Sequence, residues 1–271
     1  MINFSQCECV ESTLNYSFAD GERPAFYLYE PVAGKPAPLP PMDRRTVEIF
    51  DVRNDMESLT LDKNGLCVVR EALPDLDFFD LETVARDYYP QCIELVKRTT
   101  GAQQVVAFDH NVRDKGRTDE DGVSGPVRFA HNDYTDFSSP QRVCDLMDDE
   151  ARSLLLRPYM FINVWRALRG PVTDQPLAIC DAQTLQPDDF IPSDLKYRDR
   201  TGEIYCFRYN PNHRWMYISD MQTDEIILLK CFDSATDGRA RYTAHSAFRN
   251  PHASEGSPPR RSIEVRCIAF F

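Results

Sequence analysis

The last stretch of the chain constrains its fold most. Read as a strand, the run from Arg260 to Phe271 puts Arg260, Ser262 and Arg266 on one face. Ile263, Val265 and Cys267 fall on the other, because strand side chains alternate between faces. Such a strand has a polar interior side and an apolar exterior that a helix can cover.

The rest of the chain supplies the partners for that strand. Candidate strands are Thr46–Val52, Met160–Trp165, Leu177–Cys180, Ile204–Tyr209, Trp215–Ile218 and Glu225–Phe232, and Leu59–Val69 reads as strand, turn, strand. The clearest helix runs from Asp80, a capping residue, to Gly101, a terminator, with a kink expected at Pro90. A second helix starts at Ser139-Pro140 and runs towards Leu155. The stretch from Ala33 to Met42 is too rich in proline for regular structure. Strands with two helices ahead of most of them suggest an α+β, β-rich fold such as a jelly-roll or cupin-like barrel backed by helices, although periodicity by itself gives only a β-rich chain with helices.

Composition narrows the function classes. A net charge of −12 without a basic stripe argues against nucleic-acid binding. No apolar run approaches the length of a membrane span, and the N-terminus lacks the basic and apolar regions of a secretory signal. Nine scattered cysteines, mostly single inside apolar runs, read as reduced core residues of a cytoplasmic protein rather than a zinc site.

The chemistry concentrates at His131-Asn132-Asp133. In a β-prone context, positions i and i+2 share a face, so an imidazole and a carboxylate stand together. They are two thirds of the facial triad that holds non-haem Fe(II) and leaves positions open. His245 is the candidate third ligand; His213 sits in a turn and His252 in a loop. Arg260 and Ser262 suit a carboxylate, since guanidinium offers a planar fork and a hydroxyl adds a bond. Arg266 is the substitute on the same face, and Lys230 either binds a carboxylate or pairs with Asp233. His110, Arg113, Tyr134 and Arg166 are candidates for contact with substrate, each with an ordinary structural role as the alternative.

His-x-Asp, a distant His, then Arg-x-Ser is the order seen in Fe(II)/2-oxoglutarate dioxygenases. From about Tyr27 onward the chain resembles one microbial secondary-metabolism family of them. The resemblance is carried by segments such as Asp51-Val-Arg53, Asp109-His-Asn-Val-Arg113, Asn163-Val-Trp-Arg166, Gly170-Pro-Val172 and Pro259-Arg-Arg-Ser-Ile-Glu-Val-Arg266. That family includes the aspergillic-acid hydroxylase, the fungal gibberellin desaturase and the cephem-methoxylase accessory subunit.

The resemblance implies a double-stranded β-helix. Residues 1–271 would form one dioxygenase domain, with 1–45 a partly irregular, Pro-rich extension. It implies Fe(II), 2-oxoglutarate and O2, and hydroxylation, desaturation or cyclisation of a small biosynthetic intermediate by hydrogen abstraction. The accessory subunit keeps a second reading open, a non-catalytic member that binds a small molecule or a partner oxygenase. A homo-oligomer is equally open, and a metal-dependent cupin-type isomerase or a cofactor-free dioxygenase is the weaker enzymatic alternative.

Overall fold

A computed structural model describes residues 2–18, 21–32, 35, 37–117 and 123–271, with Lys115, Val123 and Ser124 described by backbone alone. Its strands in chain order are β1 (Cys9–Ser17), β2 (Ala25–Tyr27), β3 (Met42–Asp51), β4 (Leu66–Arg70) and β5 (Gln104–Asp114). There follow β6 (Val123–Ser124), β7 (His131–Asn132), β8 (Tyr159–Ala167), β9 (Leu177–Cys180) and β10 (Phe190–Lys196). The last are β11 (Thr201–Phe207), β12 (Trp215–Tyr217), β13 (Glu225–Asp233), β14 (His245–Ala247) and β15 (Arg261–Phe270).

Nine of them form one sheet, in the order β1-β3-β12-β9-β14-β7-β11-β10-β2. Six form another, in the order β4-β13-β8-β15-β5-β6. The sheets pack through their inner faces. Ile179 and Met216 of the first meet Phe161, Trp165, Ile227, Leu229, Ile268 and Phe270 of the second in one core. This is the double-stranded β-helix that the family resemblance implies.

The alternation of β15 is the one its sequence predicts. Ile263, Val265, Cys267 and Ala269 pack outward on Val84, Tyr88, Cys92, Leu95 and Val96 of a helix over residues 81–100. Asp80 caps that helix by accepting from the Glu82 N–H, and Gly101 ends it in the left-handed region at φ 76°. At Pro90 a π-helical segment, Val84–Tyr88, runs just ahead of it. The proline lacks an N–H and its ring crowds the preceding turn, and a wider turn there relieves both.

Several boundaries differ from expectation. Leu59 and Thr60 are not strand; a turn over 61–64 leads directly into β4. The second helix is split into Ser138–Met147 and Ala151–Leu154, with Asp148 at φ 42° between them. Asp148-Asp149-Glu150 would put three acids at a helix C-terminus, where the dipole disfavours them; here they precede the next helical turn. The N-terminal extension holds two strands of the large sheet, β1 and β2. Within the Pro-rich stretch, residues 33, 34 and 36 lie outside the described residues, and 37–41 carry no regular structure. All nine cysteines are free; five are buried, while Cys9 and Cys144 are exposed rather than core.

Candidate metal centre

Three elements bring the proposed ligands together. His131 of β7 and His245 of β14 are direct antiparallel partners, with ring centroids 4.3 Å apart. Asp133 follows one residue beyond β7, and its Oδ1 lies 3.6 Å from His131 Nε2. One donor atom from each of the three residues falls within 4.8 Å of the others. Between the two ligands, Asn132 points the other way and anchors the turn. Its amide donates to the Tyr134 and Cys231 carbonyls, and its oxygen accepts from the Thr243 N–H.

Each imidazole is aimed by its own backbone. His131 Nδ1 lies 2.8 Å from the Phe129 carbonyl, and His245 Nδ1 lies 3.1 Å from that of Thr243. A proton on Nδ1 fixes the tautomer and leaves Nε2 as the free donor. Burial, and then the neighbouring His245, push His131 down to about 3, so it is neutral at physiological pH and fit to ligate. Burial by itself would raise Asp133, but Arg266 and the two imidazoles outweigh it and hold the carboxyl below the usual range. The group is two imidazoles and one carboxylate, the donor set of a facial triad.

Asp133 is held on its far oxygen. Oδ2 accepts from Asn163 Nδ2 at 2.8 Å and from Arg266 Nε at 3.0 Å. Sequence reasoning missed Asn163. It is the polar residue at an inward position of β8, on the face that carries Phe161 and Trp165, and only the pairing of β8 with β13 and β15 shows that this face looks inward.

Arg260 and Ser262 are both buried. Arg260 donates to the Gln175 carbonyl at 2.9 Å and lies over the Trp165 ring. Its Nε and the Ser262 Oγ have no hydrogen-bond partner among the described residues. Buried donors are rarely left bare, so this pair is what a carboxylate of an organic acid would complete. Burial, and then Arg113, push the Arg260 guanidinium down to about 10, which still leaves it cationic.

Other expectations are redirected. Arg266 is not free for 2-oxoglutarate: besides Asp133 it binds Asp109 and Glu264, each at 3.1 Å. Lys230 is taken by Asp233 at 2.7 Å and Asp62 at 2.9 Å. Arg166 has the opposite parity to Asn163 on β8, so it points away from the centre and binds the carbonyls of Glu71 and Thr223. His110 lies across from Val265 on the helix side and binds the Tyr89 hydroxyl at 2.8 Å. Arg113 lies across from Ser262 and faces inward. Arg113 and Tyr134 line a cavity of about 1060 Å³ that has His131, Asp133 and Arg266 in its wall. Leu28, Leu39 and Phe137 also line it and are 58%, 74% and 71% exposed.

The chain is similar to known proteins over most of its length. A family model described as "YDMC: Oxidoreductase/YMDC permease-like domain" matches residues 14–270. The Fe(II)/2-oxoglutarate-dependent dioxygenase nvfI of Aspergillus novofumigatus is 34% identical, over 83% of this chain and 82% of that protein. The hydroxylase/desaturase efuI of Hormonema carpetanum is 33% identical, over 83% of each. Among solved structures, a variant of the iron and alpha-ketoglutarate-dependent endoperoxidase NvfI superposes with a TM-score of 0.89 at 28% identity, covering 100% of this chain and 99% of that one. With a matching fold, a His-Asp-His group and these relatives, the chain belongs to the Fe(II)/2-oxoglutarate-dependent dioxygenases of fungal secondary metabolism, enzymes that use Fe(II), 2-oxoglutarate and O2.

Proposed function

We propose that His131, Asp133 and His245 hold the Fe(II), that Arg260 with Ser262 receives the distal carboxylate of 2-oxoglutarate, and that substrate enters the cavity in front of Asp133. The observation that carries this reading is the unpartnered pair of buried donors, Arg260 Nε and Ser262 Oγ, in the same barrel as the three ligand atoms. When bound, iron with its co-substrate supplies oxidation of an unactivated C–H bond. The protein's own residues do the rest. The imidazoles present Nε2, Asp133 presents one oxygen, and Arg260 orients the organic acid through a charge-assisted bond.

The cavity supports a substrate with an apolar body. Its rim carries three exposed hydrophobic side chains, an unusual concentration unless something covers them. Tyr134 stacks on Phe161 with centroids 4.1 Å apart and stiffens the wall beside Asp133. We read residues 1–271 as one catalytic domain, because β1 to β3 complete the sheet that carries both histidines. No helix among the described residues is long and apolar enough to cross a membrane. All nine cysteines are free, which supports our reading of a reducing, cytoplasmic setting. It acts on a small molecule; the relatives' names include hydroxylase/desaturases and an endoperoxidase, so hydroxylation, desaturation and ring closure are the outcomes to assay.

The test is succinate formation by the isolated protein with Fe(II), 2-oxoglutarate and O2. Wild type forms succinate without a partner; His131→Ala and Asp133→Ala do not. Succinate formation that requires an added oxygenase would turn the reading into that of an accessory subunit.

A further inference from the structure

Asp133 presents its two oxygens to different surroundings. Oδ1 is the one nearer His131 Nε2, at 3.6 Å. Oδ2 already accepts two bonds, from Asn163 at 2.8 Å and Arg266 at 3.0 Å. The donors come from neighbouring strands, where Asn163 of β8 and Arg266 of β15 are direct partners in the register. Neither is placed loosely. Arg266 stands at a β-bulge between β15 and β5, which re-aims a side chain. Its other two nitrogens are fixed on Asp109 and Glu264 at 3.1 Å each. Asn163 is fully buried, and its own oxygen has no partner among the described residues, so the bond to Asp133 is what orients the amide.

We infer that Asn163 and Arg266 form a two-donor clamp that keeps Asp133 a one-oxygen ligand; this rests on the metal assignment proposed above. A carboxylate whose second oxygen is saturated by two donors, one of them cationic, gives up both bonds if it turns to chelate. A chelating carboxylate would fill one of the positions that a facial triad leaves open for co-substrate and O2. The clamp therefore protects coordination number as well as affinity. Asn163 and Arg266 are positioning residues, acting through Asp133.

The experiment is an Mn(II) titration of wild type, Asn163→Ala, Arg266→Gln, Arg266→Lys and the double variant Asn163→Ala/Arg266→Gln. Free Mn(II) is followed by electron paramagnetic resonance, and bound waters are counted from line broadening in oxygen-17 water. Each of Asn163→Ala and Arg266→Gln should weaken Mn(II) by about 10–100-fold, the usual effect of losing a partner of a metal ligand. Arg266→Lys, which keeps a charged donor, should recover part of the loss. The double variant should hold fewer waters on Mn(II) than wild type, because Oδ2 is released to ligate. Unchanged affinity and water count in the double variant overturn the clamp while leaving the metal assignment standing. A wild-type chain that binds no Mn(II) overturns both. Should Arg266→Gln lose its fold by circular dichroism, Asn163→Ala, an uncharged truncation, decides on the same two readouts.

Discussion

His131 and His245 face each other directly across β7 and β14, and each rests its Nδ1 on the carbonyl two residues upstream. The register of one short antiparallel bridge thus sets both the spacing and the tautomer of the two imidazoles. A one-residue slip of either strand would send its histidine to the outer face of the sheet and break the pair.

Arg260→Ala should raise the KM for 2-oxoglutarate by roughly ten- to a hundredfold, from loss of a charge-assisted bond worth about 1.5–3 kcal/mol. Arg260→Lys should recover only part, since ammonium lacks the fork. Equal KM values in wild type and Arg260→Ala, measured by succinate release, would exclude the residue.

Arg166→Met should behave as a stability variant. The guanidinium is buried and binds two backbone carbonyls, which the substitution leaves bare. A loss of roughly 3–5 kcal/mol is expected in denaturant unfolding. The KM for 2-oxoglutarate of the folded fraction should not move; a rise would return Arg166 to the site.

The contrast between Arg166 and Asn163 shows what was legible in the sequence. The motif order pointed to all three proposed ligands and to Arg260, because His-x-Asp and Arg-x-Ser each place a pair on one strand face. It could not say which face of β8 looks inward. That depends on the register of β8 against β13 and β15, which brings Asn163 opposite Arg266 and Leu229. The helix over residues 81–100 was legible because its cap, its stop and its apolar spacing are all local. The strands β1, β2, β5, β6, β10 and β14 were not, since a strand gains much of its structure from neighbours distant in sequence. Arg266 lies on the face that alternation predicts, beside a bulge between β15 and β5, and there it donates to Asp133.

Stability should fall with acid through His213. Burial pushes this imidazole below its ordinary value, although Asp189, 3.0 Å away, works against the shift. The unfolded chain then binds the proton more readily than the folded one. Its contribution is therefore complete above about pH 6.5, the unfolded value, and is lost as pH falls below it. His213→Gln should flatten the fall in Tm below that pH relative to wild type. Parallel curves for the two proteins would show that another group is responsible.

Substituting the cavity wall should change outcome rather than oxidant supply. Tyr134→Ala and Arg113→Met should raise the substrate KM or alter the product ratio, since ångström-scale misplacement can cost about a hundredfold in rate. His110→Gln, on the helix side, should do neither. Product analysis by mass spectrometry separates the groups; equal effects from all three would remove the cavity from the account.

The most direct measurement is an anaerobic titration of the purified chain with Fe(II) and 2-oxoglutarate, following the visible charge-transfer band of the chelate. We expect a band that saturates at one Fe(II) per chain in wild type, is absent in His245→Ala, and needs more 2-oxoglutarate to form in Arg260→Ala. A band of full intensity in His245→Ala, or none in wild type, would contradict this.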